Sequence, residues 1–185
     1  MRIRSSRERR ILRFKTTVRW IVYYFLILLS FVLMTSGTWL KPVLLVPVAL
    51  CIAVNNDLLG SAFTGAFCGL LIDIACGRLF GYNAVLLTVF CVAVSLAFEL
   101  CLRYKFINYM WVTALVAFIQ CWLDYKFYYQ IWNYSDVERI FSRVTLHVWL
   151  YTVISAVFIF LIFKLVNHFL MPKAHLTIEE VIKTC

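Results

Sequence analysis

An all-α membrane protein, a bundle of six transmembrane helices, is the fold class this sequence predicts, and three observations predict it. Hydrophobic residues make up 64% of the 185 and charged residues only 15%, with a mean hydropathy of +0.88. A soluble domain of this length does not carry that balance. Apolar runs long enough to span, or nearly so, recur along the chain between short polar connections. The basic residues also alternate by side. Six spans put the arginine-rich start, Arg103 with Lys105, and Lys164 with Lys173 on the cytoplasmic side; Lys41, Arg78 and the mixed-charge stretch 126–143 then face outward.

Residues 1–17 form a basic cytoplasmic segment with Arg2, Arg4, Arg7, Arg9, Arg10, Arg13 and Lys15. Lys plus Arg number 18 against 9 Asp plus Glu, and this segment explains much of that excess. Basic residues directly before an apolar run anchor it to the cytoplasmic face, so no nucleic-acid partner is expected. The membrane domain covers 18–172, and a short cytoplasmic tail covers 173–185. The first span, 18–37, exceeds a signal-peptide core and precedes no exported soluble domain, which makes it a retained helix.

The second span, 39–54, opens at Pro42, is interrupted by Pro47 and gives only about 24 Å of helix, short of a roughly 30 Å core. Neighbouring helices must cover it, or it lines a cavity. The third span is 58–76. The fourth, 83–102, ends on Glu99 and Arg103, spaced to neutralise each other at the boundary. The fifth, 108–131, carries Gln120 and Asp124 and runs into Trp122, Tyr125, Phe127, Tyr128, Tyr129 and Trp132, which read as an interfacial aromatic belt, with a partner surface as the alternative. Ser135 with Glu138 reads as a capping box for a short surface helix. The sixth span, 145–170, crosses with tilt and ends before Pro172.

Most of the chemistry is concentrated in 60–81. Gly65, Gly69 and Asp73 follow one another at single helical turns, so they share one flank of the third helix. Glycines at that spacing admit a neighbouring backbone, either from the same bundle or from a second copy in a homodimer. An ionised acid at the bilayer centre costs at least about 2.5 kcal/mol, so Asp73 must turn inward or sit near the outer boundary. Gly77 and Gly81 bracket a turn with Arg78 at its tip.

Catalytic signatures are missing: no GxSxG, HExxH, Walker A or GxGxxG occurs. Cysteines 51, 68, 76, 91, 101, 121 and 185 form no CxxC or CxxH pattern and read as apolar side chains rather than disulfides or metal ligands. His147, His168 and His175 are isolated. Asp73 and Asp124 can meet across the bundle, but two acids without a nucleophile, metal or substrate pocket do not make an enzyme. The residues point to a scaffold or a small-ligand binder without a cofactor. An outer pocket would draw on Asn83, Gln120 and Trp122. Buried acids alone argue little for an ion pathway.

The run GxxxGLLIDIxxGxLxGxNAVLLT, residues 65–88, resembles the signature of the bacterial rod shape-determining membrane protein family MreD. The wider likeness spans about 20–172: a basic N-terminus, six spans, a proline-containing second span and an acid in the fifth, where Asp124 stands. The longer arginine-rich start and the tail beyond Pro172 depart from the family. The resemblance implies a fold like the substrate-binding subunit of energy-coupling-factor transporters. It also implies a non-enzymatic role in peptidoglycan synthesis and rod cell shape, in the bacterial plasma membrane. Its implied partners are MreC and, indirectly, RodA with its transpeptidase, along with membrane lipid. Under this resemblance Gly65, Gly69, Asp73, Gly77, Gly81 and Asp124 serve helix packing or partner docking. The rival reading is a vitamin-binding carrier subunit of the same topology.

Overall fold

The computed structural model describes residues 6–36, 42–77, 79–100, 105–127 and 141–170. Several expected features lie outside them: Arg78, Arg103, the belt residues beyond Phe127, the Ser135–Glu138 capping box and the tail after Pro172. Among the described residues six α-helices follow in order: α1 Ser6–Thr35, α2 Leu45–Val54, α3 Leu58–Cys76, α4 Tyr82–Leu100, α5 Lys105–Tyr125 and α6 Leu146–Leu170, the last entered through a π-helical turn, Phe141–Thr145. No strand occurs among the described residues. Among the described residues five segments are long and apolar enough to cross a membrane: Phe14–Thr35, Leu58–Cys76, Tyr82–Leu100, Phe106–Tyr125 and Arg143–Asn167. The chain is a multi-pass helical membrane protein.

The first helix starts at Ser6, well before the expected residue 18. Its basic segment contains Arg, Leu, Ile and Lys without Gly or Pro, so nothing stops the helix from extending through it. The second helix is shorter than expected. It begins at Leu45 rather than at residue 39, has 10 residues and reaches about 15 Å. Pro47 does not interrupt it. This proline occupies the third helical position, where an N–H has no intrahelical acceptor to lose, and Val48 N donates to Leu44 O at 3.3 Å to start the ladder.

The sequence LVPVALCIAV is apolar on every side, and a helix of that kind belongs in the middle of a bundle. Nine of its ten residues are buried, and α2 touches each of the other five helices. Its entry is fixed from two sides: Val43 N donates to Thr152 Oγ1 of α6 at 3.0 Å, and Tyr109 Oη of α5 donates to Pro47 O at 2.9 Å. Its exit is capped by side chains, with Asn55 Nδ2 on Cys51 O and Asn56 Nδ2 on Ile52 O, both at 2.9 Å. Tyr23, Ile72, Leu87, Tyr109 and Phe163 close the core around it. Outward-facing Phe25, Val89, Trp111, Leu115, Ile154 and Phe158 are exposed on the bundle's surface, as lipid-facing positions require.

Candidate functional site

The α3–α4 pair makes the most extensive helix contact in the molecule, and its glycines explain why. A Cβ on Gly69 would lie 2.4 Å from Ala84 Cα and 2.5 Å from Asn83 O; one on Gly65 would lie 2.9 Å from Thr88 Cα and 3.1 Å from Cys91 Cβ. Neither position has room for a methyl group, because the obstruction is mostly backbone. The glycine ridge is therefore filled within the hairpin. A homodimer would have to use another surface.

Gly77 and Gly81 act differently. Their Cβ positions open into empty space, but φ is +59° at Gly77 and +96° at Gly81, values that L side chains rarely adopt. Gly77 ends α3 as a left-handed cap, its N–H donating to Asp73 O and Ile74 O. Gly81 stands just before Tyr82, the first residue of α4, and has no side chain with which to cap that helix.

Asp73 supplies the missing cap. Only 1% of the residue is exposed. Oδ2 accepts from Gly81 N at 2.9 Å, and Oδ1 accepts from Asn83 N at 3.2 Å and from Asn83 Nδ2 at 2.8 Å. An N-cap normally bonds the N–H groups of its own helix start, and here a carboxylate one helix earlier does so. The acid also faces the positive end of the α4 dipole. Its backbone carbonyl closes α3 while its side chain opens α4.

From Asp73 the polar contacts continue inward. Asn83 Oδ1 accepts from Gln120 Nε2 of α5 at 2.9 Å. The direction of this chain follows from its end: the carboxylate only accepts, so Asn83 must present its amide nitrogen to it and its oxygen to Gln120. Asn83 and Gln120 are both buried, and Gln120 Oε1 has no hydrogen-bond partner among the described residues. Asp124 lies one turn beyond Gln120 on α5, also buried. The chain of bonds from Asp73 thus reaches α5 at Gln120 through Asn83, and Asp124 stands one turn further along that helix rather than as a directly bonded partner of Asp73.

Trp122 does not join this group. Two residues along a helix turn it about 200° from Gln120, and it is 41% exposed, with Lys126 Nζ 4.9 Å from its ring centroid. The belt reading suits it better than the pocket reading. Phe127 packs edge-on against Tyr82 at 5.3 Å, which ties the end of α5 to the start of α4.

At the other end of the bundle the structure assembles a cluster that single-residue reading passed over. Arg19 Nη2 donates to Asn56 Oδ1 at 3.0 Å, Ser61 Oγ to Asp57 O at 3.0 Å and Ser95 Oγ to Asn56 O at 3.3 Å. Three helices thereby grip the α2–α3 turn. The Asn55–Asn56–Asp57 run was the available signal. Among the described residues no group of three or more His, Cys, Asp or Glu side chains is placed to hold a metal ion. No protein-family model, curated protein or solved structure matches the chain.

Proposed function

We propose that this protein is a non-enzymatic membrane scaffold of the MreD type, which binds MreC in the bacterial elongation complex and helps to regulate peptidoglycan synthesis and rod shape. RodA and its transpeptidase partner join through that complex. The proposal includes six passes, with α2 as the short second one, both termini cytoplasmic, the plasma membrane as location, and a bundle like the energy-coupling-factor binding subunits.

One observation carries the reading: the Asp73 carboxylate is enclosed and bonded to the N-terminus of α4. An acid used this way shapes a surface instead of reacting. It sets the turn between Gly77 and Gly81, whose Leu79 and Phe80 are 73% and 72% exposed. Apolar side chains on a turn held by both flanking helices suit docking of a partner at the outer rim.

Co-purification with MreC from detergent-solubilised membranes tests this. Asp73→Ala is expected to insert and to lose MreC, and the double variant Leu79→Ser/Phe80→Ser to lose MreC with the bundle intact. Normal recovery of MreC by both variants would overturn the scaffold reading. The unpartnered, buried Gln120 Oε1 favours a second reading, a carrier subunit with a polar ligand over the outer half of the bundle. A small molecule retained through purification and lost in Gln120→Leu, with MreC binding absent, would select it.

A further inference from the structure

The bundle end opposite the Gly77–Gly81 turn holds a cation that no carboxylate among the described residues neutralises. Arg19 belongs to α1 inside the apolar segment Phe14–Thr35. Its guanidinium makes one hydrogen bond, through Nη2 to Asn56 Oδ1 at 3.0 Å, and stands 5.8 Å from the Tyr23 ring centroid. Its Nε is buried without a partner. No carboxylate lies within ion-pairing distance of it among the described residues. Lys15, one turn earlier on the same flank and half-buried, forms no bond or ion pair among them either.

The depth of this pair is marked by its neighbours. Trp20 packs over Gly60, with its ring 3.2 Å from that residue's Cβ position, and meets Tyr23 edge-on at 6.0 Å. Trp20 is half-buried, a tryptophan of the kind that sits at the headgroup level, while Tyr23 beneath it belongs to the core. Asn56, in the turn where α2 and α3 leave the bundle, lies at the same level. Two like charges one turn apart repel each other unless an anion lies between them. A guanidinium at the hydrocarbon boundary is only partly hydrated, and among the described residues nothing supplies the counter-charge that it needs.

We infer that Lys15 and Arg19 form a site for the phosphate of an anionic phospholipid, with Asn56 orienting the guanidinium and Trp20 lying against the lipid's glycerol and upper acyl region. Arg19 offers a planar fork of N–H donors, of which the protein uses one. Lys15 adds a mobile point charge a turn further out. An inorganic phosphate shares the headgroup's chemistry but gains nothing from the Trp20 ring or from the apolar length of α1 beyond it. A zwitterionic lipid carries its own cation beside the phosphate and gains less from the pair. This inference rests on α1 and the α2–α3 turn and is independent of any role in the elongation complex.

Native mass spectrometry of the full chain, released from micelles holding equal phosphatidylglycerol and phosphatidylcholine of matched acyl chains, tests it. The wild type is expected to retain phosphatidylglycerol preferentially. Lys15→Gln and Arg19→Gln should each lower that preference about fivefold, the scale of one basic residue at an anionic surface. Arg19→Lys should keep most of it. Among the described residues Lys15 forms no bond or ion pair with another side chain, so Lys15→Gln reads the site even where Arg19→Gln weakens the α2–α3 turn and the fold. No preference in the wild type, an unchanged preference in Lys15→Gln, or displacement of phosphatidylglycerol by inorganic phosphate would each overturn the proposal.

Discussion

The Asp73 carboxylate receives three N–H donors: the Gly81 backbone just before α4, and the Asn83 backbone and side-chain amide in its first turn. Its most informative substitution is therefore the nearly isosteric one. Asp73→Asn keeps the volume but turns one acceptor into a donor that faces other donors. The loss should be about 1–3 kcal/mol, seen as a lowered thermal midpoint in detergent, and close to that of Asp73→Ala. A midpoint near wild type for Asp73→Asn would mean that the carboxylate is not needed as an acceptor. The sequence exposed the acid and its one-turn spacing from Gly69. It did not expose the acceptor's target, because Gly81 and Asn83 reach Asp73 only once two left-handed glycines have folded the chain back.

Within the α3–α4 hairpin, four glycines do two jobs. Gly69→Ala drives a methyl into backbone at 2.4 Å and Gly65→Ala into contacts of 2.9–3.1 Å. Both should overpack the hairpin by about 1–3 kcal/mol, with Gly69→Ala the worse, read as the order of their thermal midpoints. Gly77→Ala has space but the wrong dihedral, and should cost roughly 1–2 kcal/mol. Equal midpoints for Gly65→Ala and Gly69→Ala would contradict the asymmetry of the contact. The glycine spacing was legible because it is periodic. The difference between a packing glycine and a turn glycine was not, since spacing says nothing about φ. In α2 the apolar run was legible, but its start at Leu45 was not: a proline at 42 or at 47 is equally compatible with a helix entry, and hydrogen bonds from Tyr109 and to Thr152 decide which.

The whole bundle is organised around α2, a helix of only 10 residues that is enclosed by five others. Its enclosure leaves Cys51, Cys68 and Cys91 buried, while Cys76 beside the α3–α4 turn is exposed. A chain retaining Cys76 alone should react with a membrane-impermeant maleimide in intact cells, as the proposed orientation requires. A chain retaining Cys51, Cys68 and Cys91 should stay unlabelled until denatured. Labelling of Cys76 only after permeabilisation would reverse the orientation and move the Leu79–Phe80 tip to the inner face.

Composition and the recurrence of apolar runs determined by themselves that the chain is a multi-pass helical membrane protein, since lipid admits only segments that satisfy their own backbone. One-turn spacing likewise marked Gly65, Gly69 and Asp73 as a shared flank. Tertiary structure alone decided what that flank meets, which donors the acid holds, that Asn83 and Gln120 carry the contact on to α5, and that Arg19 grips the α2–α3 turn. Those are contacts between residues far apart in the chain or across a reversal of it. Their geometry depends on helix rotation and turn dihedrals, and periodicity within one segment carries no information about either.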